Sequence, residues 1–226
     1  RVVGVTRFCN YPEGAKEITK VGGMADPDPE AILALSPDLV VATVNGNPRH
    51  VIETVERLGV ECFVIRSDDI GGILSSMRSL ADLLRPPPGG MLRLEKLERE
   101  YKELVRTEPK EKIPAIMLFS VDPPIAAGGK TFLEEVFELA GARNVLADSV
   151  LRYPHLTMER IISLAPRFVF VTRGMGESGL QRFVERLNSL TEGRMVVVEV
   201  NGDLFTRPGP RTLAAVRELR RALGRN

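Results

Sequence analysis

Two carboxylates at matching places give the first chemical handle. Glu30 follows Asp28-Pro29 and Glu159 follows Thr157-Met158. Each lies in the first turn of a short expected helix that a Leu-x-Pro step ends before an apolar run. A carboxylate there complements the positive end of the helix dipole, worth roughly 0.3–1 kcal/mol. Exposed, one per copy, the same two groups could instead dock onto basic residues of a two-fold partner. A second cluster is Asp203, Phe205 and Arg207, beside Pro208-Gly209-Pro210. It reads either as a solvated turn whose Phe tucks into the core or as a ligand clamp. In the clamp the ring stacks and the charged pair makes polar contacts. A third set is aromatic: Phe8, Tyr11, Phe119 and Tyr153 fall in or next to loops that follow strands. Several rings aimed at one cleft between lobes fit a broad, flat ligand.

Other chemistry finds less support. Gly129-Lys130-Thr131 stands between a strand and a helix, but a phosphate cradle needs a Gly five residues before its second Gly, and Pro124 stands there. Ser149 and His155 do not sit on a nucleophile elbow. With Cys9 and Cys62 as the only cysteines and His50 and His155 as the only histidines, neither a disulfide framework nor a His-rich metal site is available. No cofactor or catalytic residue is expected. The 31 basic and 30 acidic residues nearly cancel, to a formal +1. That balance asks for no nucleic-acid or anionic-membrane partner. No window approaches the roughly 20 apolar residues of a membrane span.

The elements that must position these residues follow from periodicity. Segments 28–43 and 157–172 repeat one pattern: cap residue, Glu, short helix, Leu-x-Pro, apolar strand. The strand of each copy reads as covered on both faces. A repeat this long suggests two similar lobes rather than a solenoid. Strands are expected over 2–5, 39–42, 62–65, 115–120, 168–171 and 195–200, alternating with helices. The chain is therefore α/β, with two Rossmann-like lobes and mostly parallel sheets. Ligands collect at the carboxyl ends of such strands, where 121–130, the Gly-rich stretch 172–179 and 201–210 are expected as loops. Between the copies, Met91, Leu94, Leu97, Tyr101 and Leu104 mark one face of a helix over 90–107, roughly 25 Å long. The expected division is an N-terminal lobe over 1–85, a proline break and connecting helix over 86–110, and a C-terminal lobe over 111–226. With 226 residues, 43% of them apolar, one large core or two small ones can form.

In this order and spacing, the segments resemble the periplasmic substrate-binding proteins of ABC importers for cobalamin, haem and ferric siderophores. The resemblance is carried by Val3-Gly4-Val5-Thr6 with Asn10-Tyr11-Pro12, Lys20-Val21-Gly22-Gly23, and Pro29-Glu30 through Val40. It continues with Asp122-Pro123-Pro124, Gly129-Lys130, Tyr153-Pro154 through Glu159, and Phe205 through Arg211. It is nearest to the cobalamin-binding branch. The resemblance implies that Tyr11, Tyr153, Asp203, Phe205 and Arg207 face a corrin. It also implies that Glu30 and Glu159 meet the permease dimer, that the protein is not an enzyme, and that it works outside the cytoplasm, with room for a lipid anchor before processing. The family normally opens with a further strand and helix before Val2, expected to be missing here. Cobalamin binders often use tryptophan walls, and this chain has no Trp. Haem delivery stays open through Tyr11, Tyr153 and His155, and siderophore delivery through Arg7, Arg173 and Arg207. A tetrapyrrole chelatase-like enzyme and a ligand-free scaffold are the rivals from other classes.

Overall fold

The computed structural model describes residues 1–173 and 177–225. Residues 174–176 of the Gly-rich stretch lie outside them. The chain divides into two compact units, Arg1–Ser67 and Asp68–Asn226.

In the first unit, a 3-10 turn at Glu13–Glu17 is followed by α1 (Pro29–Ala34), β1 (Leu39–Thr43), α2 (Arg49–Arg57) and β2 (Glu61–Ile65). β1 and β2 form a two-stranded parallel sheet, with Val41 opposite Phe63. The strand expected over 2–5 is reduced to one bridge, Val5 with Lys20, and Val2 and Val3 are exposed. The expectation that β1 is covered on both faces also fails: Ala42 is buried, but Val41 is 45% exposed. An apolar run is buried on both faces only where a layer packs on each, and the face that carries Val41 is only partly covered.

The second unit contains α3 (Ile70–Leu84), α4 (Pro88–Arg106), β3 (Ile113–Val121), β4 (Pro124–Ala126), α5 (Phe132–Ala140) and β5 (Ala142–Asn144). It continues with α6 (Met158–Ser163), β6 (Phe168–Thr172), α7 (Glu177–Thr191), β7 (Val196–Val200), α8 (Gly202–Thr206) and α9 (Thr212–Ala222). Strand order is β4-β3-β6-β7, with β5 also on β3, and every pairing is parallel except that of β4. Successive side chains of a strand point to opposite faces, so each face has its own core. Ala115, Met117 and Phe170 face α3, α4, α5 and α9. Ile116, Leu118, Val169 and Val171 face Ile161 of α6 and Phe183 and Leu187 of α7.

The helix boundaries follow from local chemistry. α4 begins on the last of three prolines, where a missing N–H costs nothing. Its Leu94 and Leu104 are buried, and Leu97 and Tyr101 pack against the same core. Ile70, Ile73 and Leu74 place α3 in the core of the second unit, so the first unit ends before residue 85, at Ser67. Both copies of the repeat stop their helix in the same way. The middle residue of Leu-x-Pro, Ser36 or Ala165, takes a left-handed φ of 46° or 48°. The proline then prevents return to the helix.

Candidate functional site

The residues singled out in the sequence separate into pairs and singles. Phe119, near the carboxyl end of β3, meets Tyr153 edge to face, with ring centroids 5.6 Å apart and planes at 72°. Phe119 is half-buried against the core, while Tyr153 is 53% exposed. The loop carrying Tyr153 is tied to β4, which falls within the segment 121–130 expected as loop. The Gly128 N–H donates to the Arg152 carbonyl (2.8 Å) and the Ala126 N–H to the Pro154 carbonyl (3.0 Å). A Cβ at Gly128 would lie 2.0 Å from the Leu151 carbonyl oxygen, and one at Gly129 2.0 Å from that of Ala147. These glycines are therefore required for close backbone packing, and Gly128 has no N–H to spare for a phosphate. Ser149 turns its hydroxyl onto the backbone of Leu151. His155 contributes a backbone bridge to Ile125. Neither is arranged for nucleophilic catalysis.

Asp203 and Arg207 also come together, at 3.2 Å. They do so because the segment expected as loop is the short helix α8, which sets them four residues apart on one face. Asn201 caps it by accepting from the Asp203 N–H at 3.1 Å. The cap-then-Gly sequence Asn201-Gly202 was the available signal. Phe205 corrects the expectation of a ligand-facing ring. It is 1% exposed, within the core of the second unit. A five-residue helix lying on a sheet must bury one face; Phe205 enters the core from it, and Leu204 is partly buried against the same core.

On the first unit Tyr11 is 61% exposed and Phe8 59%. Arg7 stacks over the Phe8 ring, 5.7 Å from its centroid, and is ion-paired to Asp26. Glu30 is exposed in the first turn of α1, where Asp28 accepts from the Glu30 and Ala31 N–H groups (3.0 and 3.2 Å). Its counterpart Glu159 is exposed on α6. Its own backbone N–H, the Thr157 hydroxyl and Arg186 together hold its carboxyl below the usual range. Arg186 of α7 lies 3.8 Å away, beside a groove of about 470 Å³ that Ile162 and Leu190 also line.

Two polar arrangements join residues far apart in the chain, with no local pattern in the sequence to signal them. Arg152 is ion-paired with Asp68. Glu135 of α5 accepts from the Ile70 N–H at the start of α3 and from the Tyr101 hydroxyl of α4, both at 2.6 Å. Burial and then Glu135 push the Tyr101 phenol well above its ordinary range. Cys62 is partly buried, and burial raises its thiol. Among the described residues no His, Cys, Asp or Glu group is assembled to hold a metal ion. None of the described helices is long and apolar enough to cross a membrane.

Strand-end loops that carry exposed rings and a charged pair are suited to binding a ligand. Residues 1–191 match the model of the periplasmic binding protein family. The chain belongs to that family. A protein named Vitamin B12-binding protein, from Vibrio parahaemolyticus, is 30% identical over 226 residues, covering 97% of this chain and 80% of the relative. The crystal structure of the periplasmic vitamin B12 binding protein BtuF of Vibrio cholerae superimposes with a TM-score of 0.83 at 25% identity, covering 98% of this chain and 88% of the other. The periplasmic heme-binding protein BhuT, solved with two hemes, gives a TM-score of 0.83 at 25% identity, covering 99% and 88%. Family membership makes this a binding protein rather than an enzyme, and its fold class is the α/β, mostly parallel one expected.

Proposed function

We propose that this protein binds cobalamin or a related corrinoid outside the cytoplasm and delivers it to an ABC importer. The observation that carries the ligand class is the alignment, over nearly the whole chain, with relatives named for vitamin B12. The geometry is compatible with it. The second unit offers the exposed edge of Tyr153, backed by Phe119, and the Asp203–Arg207 pair. The first unit offers Tyr11. Burial of a wide apolar ring would supply most of the affinity, and the charged pair would fix orientation. Phe205 lies in the core of the second unit, next in sequence to the Asp203–Arg207 pair rather than part of the ligand surface. Glu30 and Glu159 are the proposed permease contacts, and a lipid anchor is compatible with this role.

Haem delivery is the second reading, favoured by the equal TM-score to the heme-binding BhuT and by the exposed phenols of Tyr11 and Tyr153. A ferric siderophore would want cationic clamps, and Arg7 and Arg207 are each paired with a carboxylate. The deciding experiment is calorimetric titration with cyanocobalamin, with haemin in parallel. One-to-one cobalamin binding at micromolar affinity or tighter, about −8 kcal/mol or beyond, is expected. Tyr153→Ala should then weaken it about tenfold, and Tyr11→Ala should weaken it less. Uptake of haemin with cyanocobalamin inert would transfer the role to haem. Glu30→Ala and Glu159→Ala should leave the titration unchanged while reducing cobalamin uptake by cells.

A further inference from the structure

Tyr153 combines an exposed ring with a held backbone. Its ring is half exposed, yet its backbone is fixed on both sides, through the Arg152 and Pro154 carbonyls bonded to the N–H groups of Gly128 and Ala126. Val150 and Leu151 just before it are 81% and 61% exposed, so apolar contact is confined to the end of the loop, at buried Pro154 and the Tyr153–Phe119 ring pair. The start of the loop is held by polar contacts. The Ser149 hydroxyl accepts from the Leu151 N–H at 3.2 Å. The Arg152 guanidinium reaches 84 residues back to the Asp68 carboxylate, with side chains 35% and 44% exposed. Asp68 is the first residue of the second unit, and two residues on, the Ile70 N–H is held by Glu135. The chain at 68–70 is thus a fixed post, and Arg152 ties the loop to it.

We infer that the Arg152–Asp68 ion pair is a positioning clasp. It holds the loop over residues 149–154 so that the Tyr153 ring is set in its binding orientation before ligand arrives. The inference rests on Tyr153 facing the ligand, as proposed above. A half-exposed ion pair contributes little to global stability. Its effect is local, since a ring already ordered loses less conformational freedom on binding. The guanidinium engaged by Asp68 serves the loop rather than acting as a direct anion clamp, which separates Arg152 from the ligand-contacting residues.

The test compares wild type with Arg152→Gln, Asp68→Asn, the double substitution, the charge exchange Asp68→Arg/Arg152→Asp, and Tyr153→Ala. Cyanocobalamin is the titrant. Each single change should weaken binding about five-fold with the melting temperature unchanged. The double should be no worse than either single, and the exchange should recover part of the loss. Without any ligand, hydrogen exchange over residues 149–156 should speed up about tenfold in both single variants and nowhere else. Unchanged exchange in that segment would overturn the clasp whatever the titrant does. If Tyr153→Ala weakens binding while Arg152→Gln and Asp68→Asn do not, the clasp is wrong and the ligand-facing role of Tyr153 stands. If Tyr153→Ala is silent in a protein that binds cyanocobalamin, the reading beneath the clasp falls with it.

Discussion

The two copies of the repeat write nearly the same local instructions and receive different surroundings. α1–β1 and α6–β6 share the cap, the Glu, the left-handed stop before proline and the apolar strand. Yet Val169, Phe170 and Val171 are completely buried between β3 and β7, while Val41 on β1 is 45% exposed beside a single partner strand. The difference teaches that local pattern sets the shape of an element and its neighbours set how much it stabilises. Glu30 and Glu159 follow the same rule. Both stand in a first helical turn, but Arg186 and an adjoining groove lie beside Glu159.

The comparison can be broken most forcefully at the strand centres. Phe170→Ala should cost about 3–5 kcal/mol in denaturant unfolding, because the ring packs against both Phe137 and Phe168. Val41→Ala, at the matching place in β1, should cost under about 1 kcal/mol. Equal costs would mean that β1 is covered in solution as fully as β6. A smaller contrast is expected at glycines. Gly128→Ala should destabilise by about 1–3 kcal/mol, since its Cβ would run into the Leu151 carbonyl. Gly14→Ala, with nothing within 4 Å of the new carbon, should stabilise by about 0.5 kcal/mol. Thermal unfolding of the two variants side by side checks the sign as well as the size. Small effects are also expected at the helix stops, where Ser36→Gly and Ala165→Gly should each raise stability by no more than about 1 kcal/mol. They relieve a left-handed φ but loosen the unfolded chain. Similar gains at the two sites, measured by chemical denaturation, would mark this as a local property of the repeat, whereas a gain at one site only would tie it to packing.

Much of the fold was legible in the sequence because it is written at short range. The apolar spacing from Met91 to Leu104 marked α4, and Gly141, with φ 83°, ended α5 as a helix-stopping glycine should. The repeat itself was visible from its Glu and Leu-x-Pro positions. What escaped depends on contacts distant in the chain or on competition between roles. Phe205 carried the same letters whether it faced a ligand or the core, and only the sheet beneath α8 decided. Three-residue β4 is too short to show a period, although it backs the Tyr153 loop. Arg152 and Asp68 are separated by 84 residues, and nothing near either one announces the other. At the site, Tyr153 and Phe119 could be named as candidates, but their edge-to-face contact required the closure of β3 against β4.

The Glu135 contacts also impose an order in time. Ribosomes deliver Ile70 and Tyr101 to the solvent 65 and 34 residues ahead of the carboxylate that will accept from them. A nascent chain that has just completed α4 therefore carries a helix start with one amide still facing water and a phenol still hydrated. Neither can reach its final partner until α5 emerges. Translation of the stretch from β3 to α5 thus becomes a waiting period for the two helices already made, which an arrested-ribosome series with stalls on either side of residue 135 would resolve.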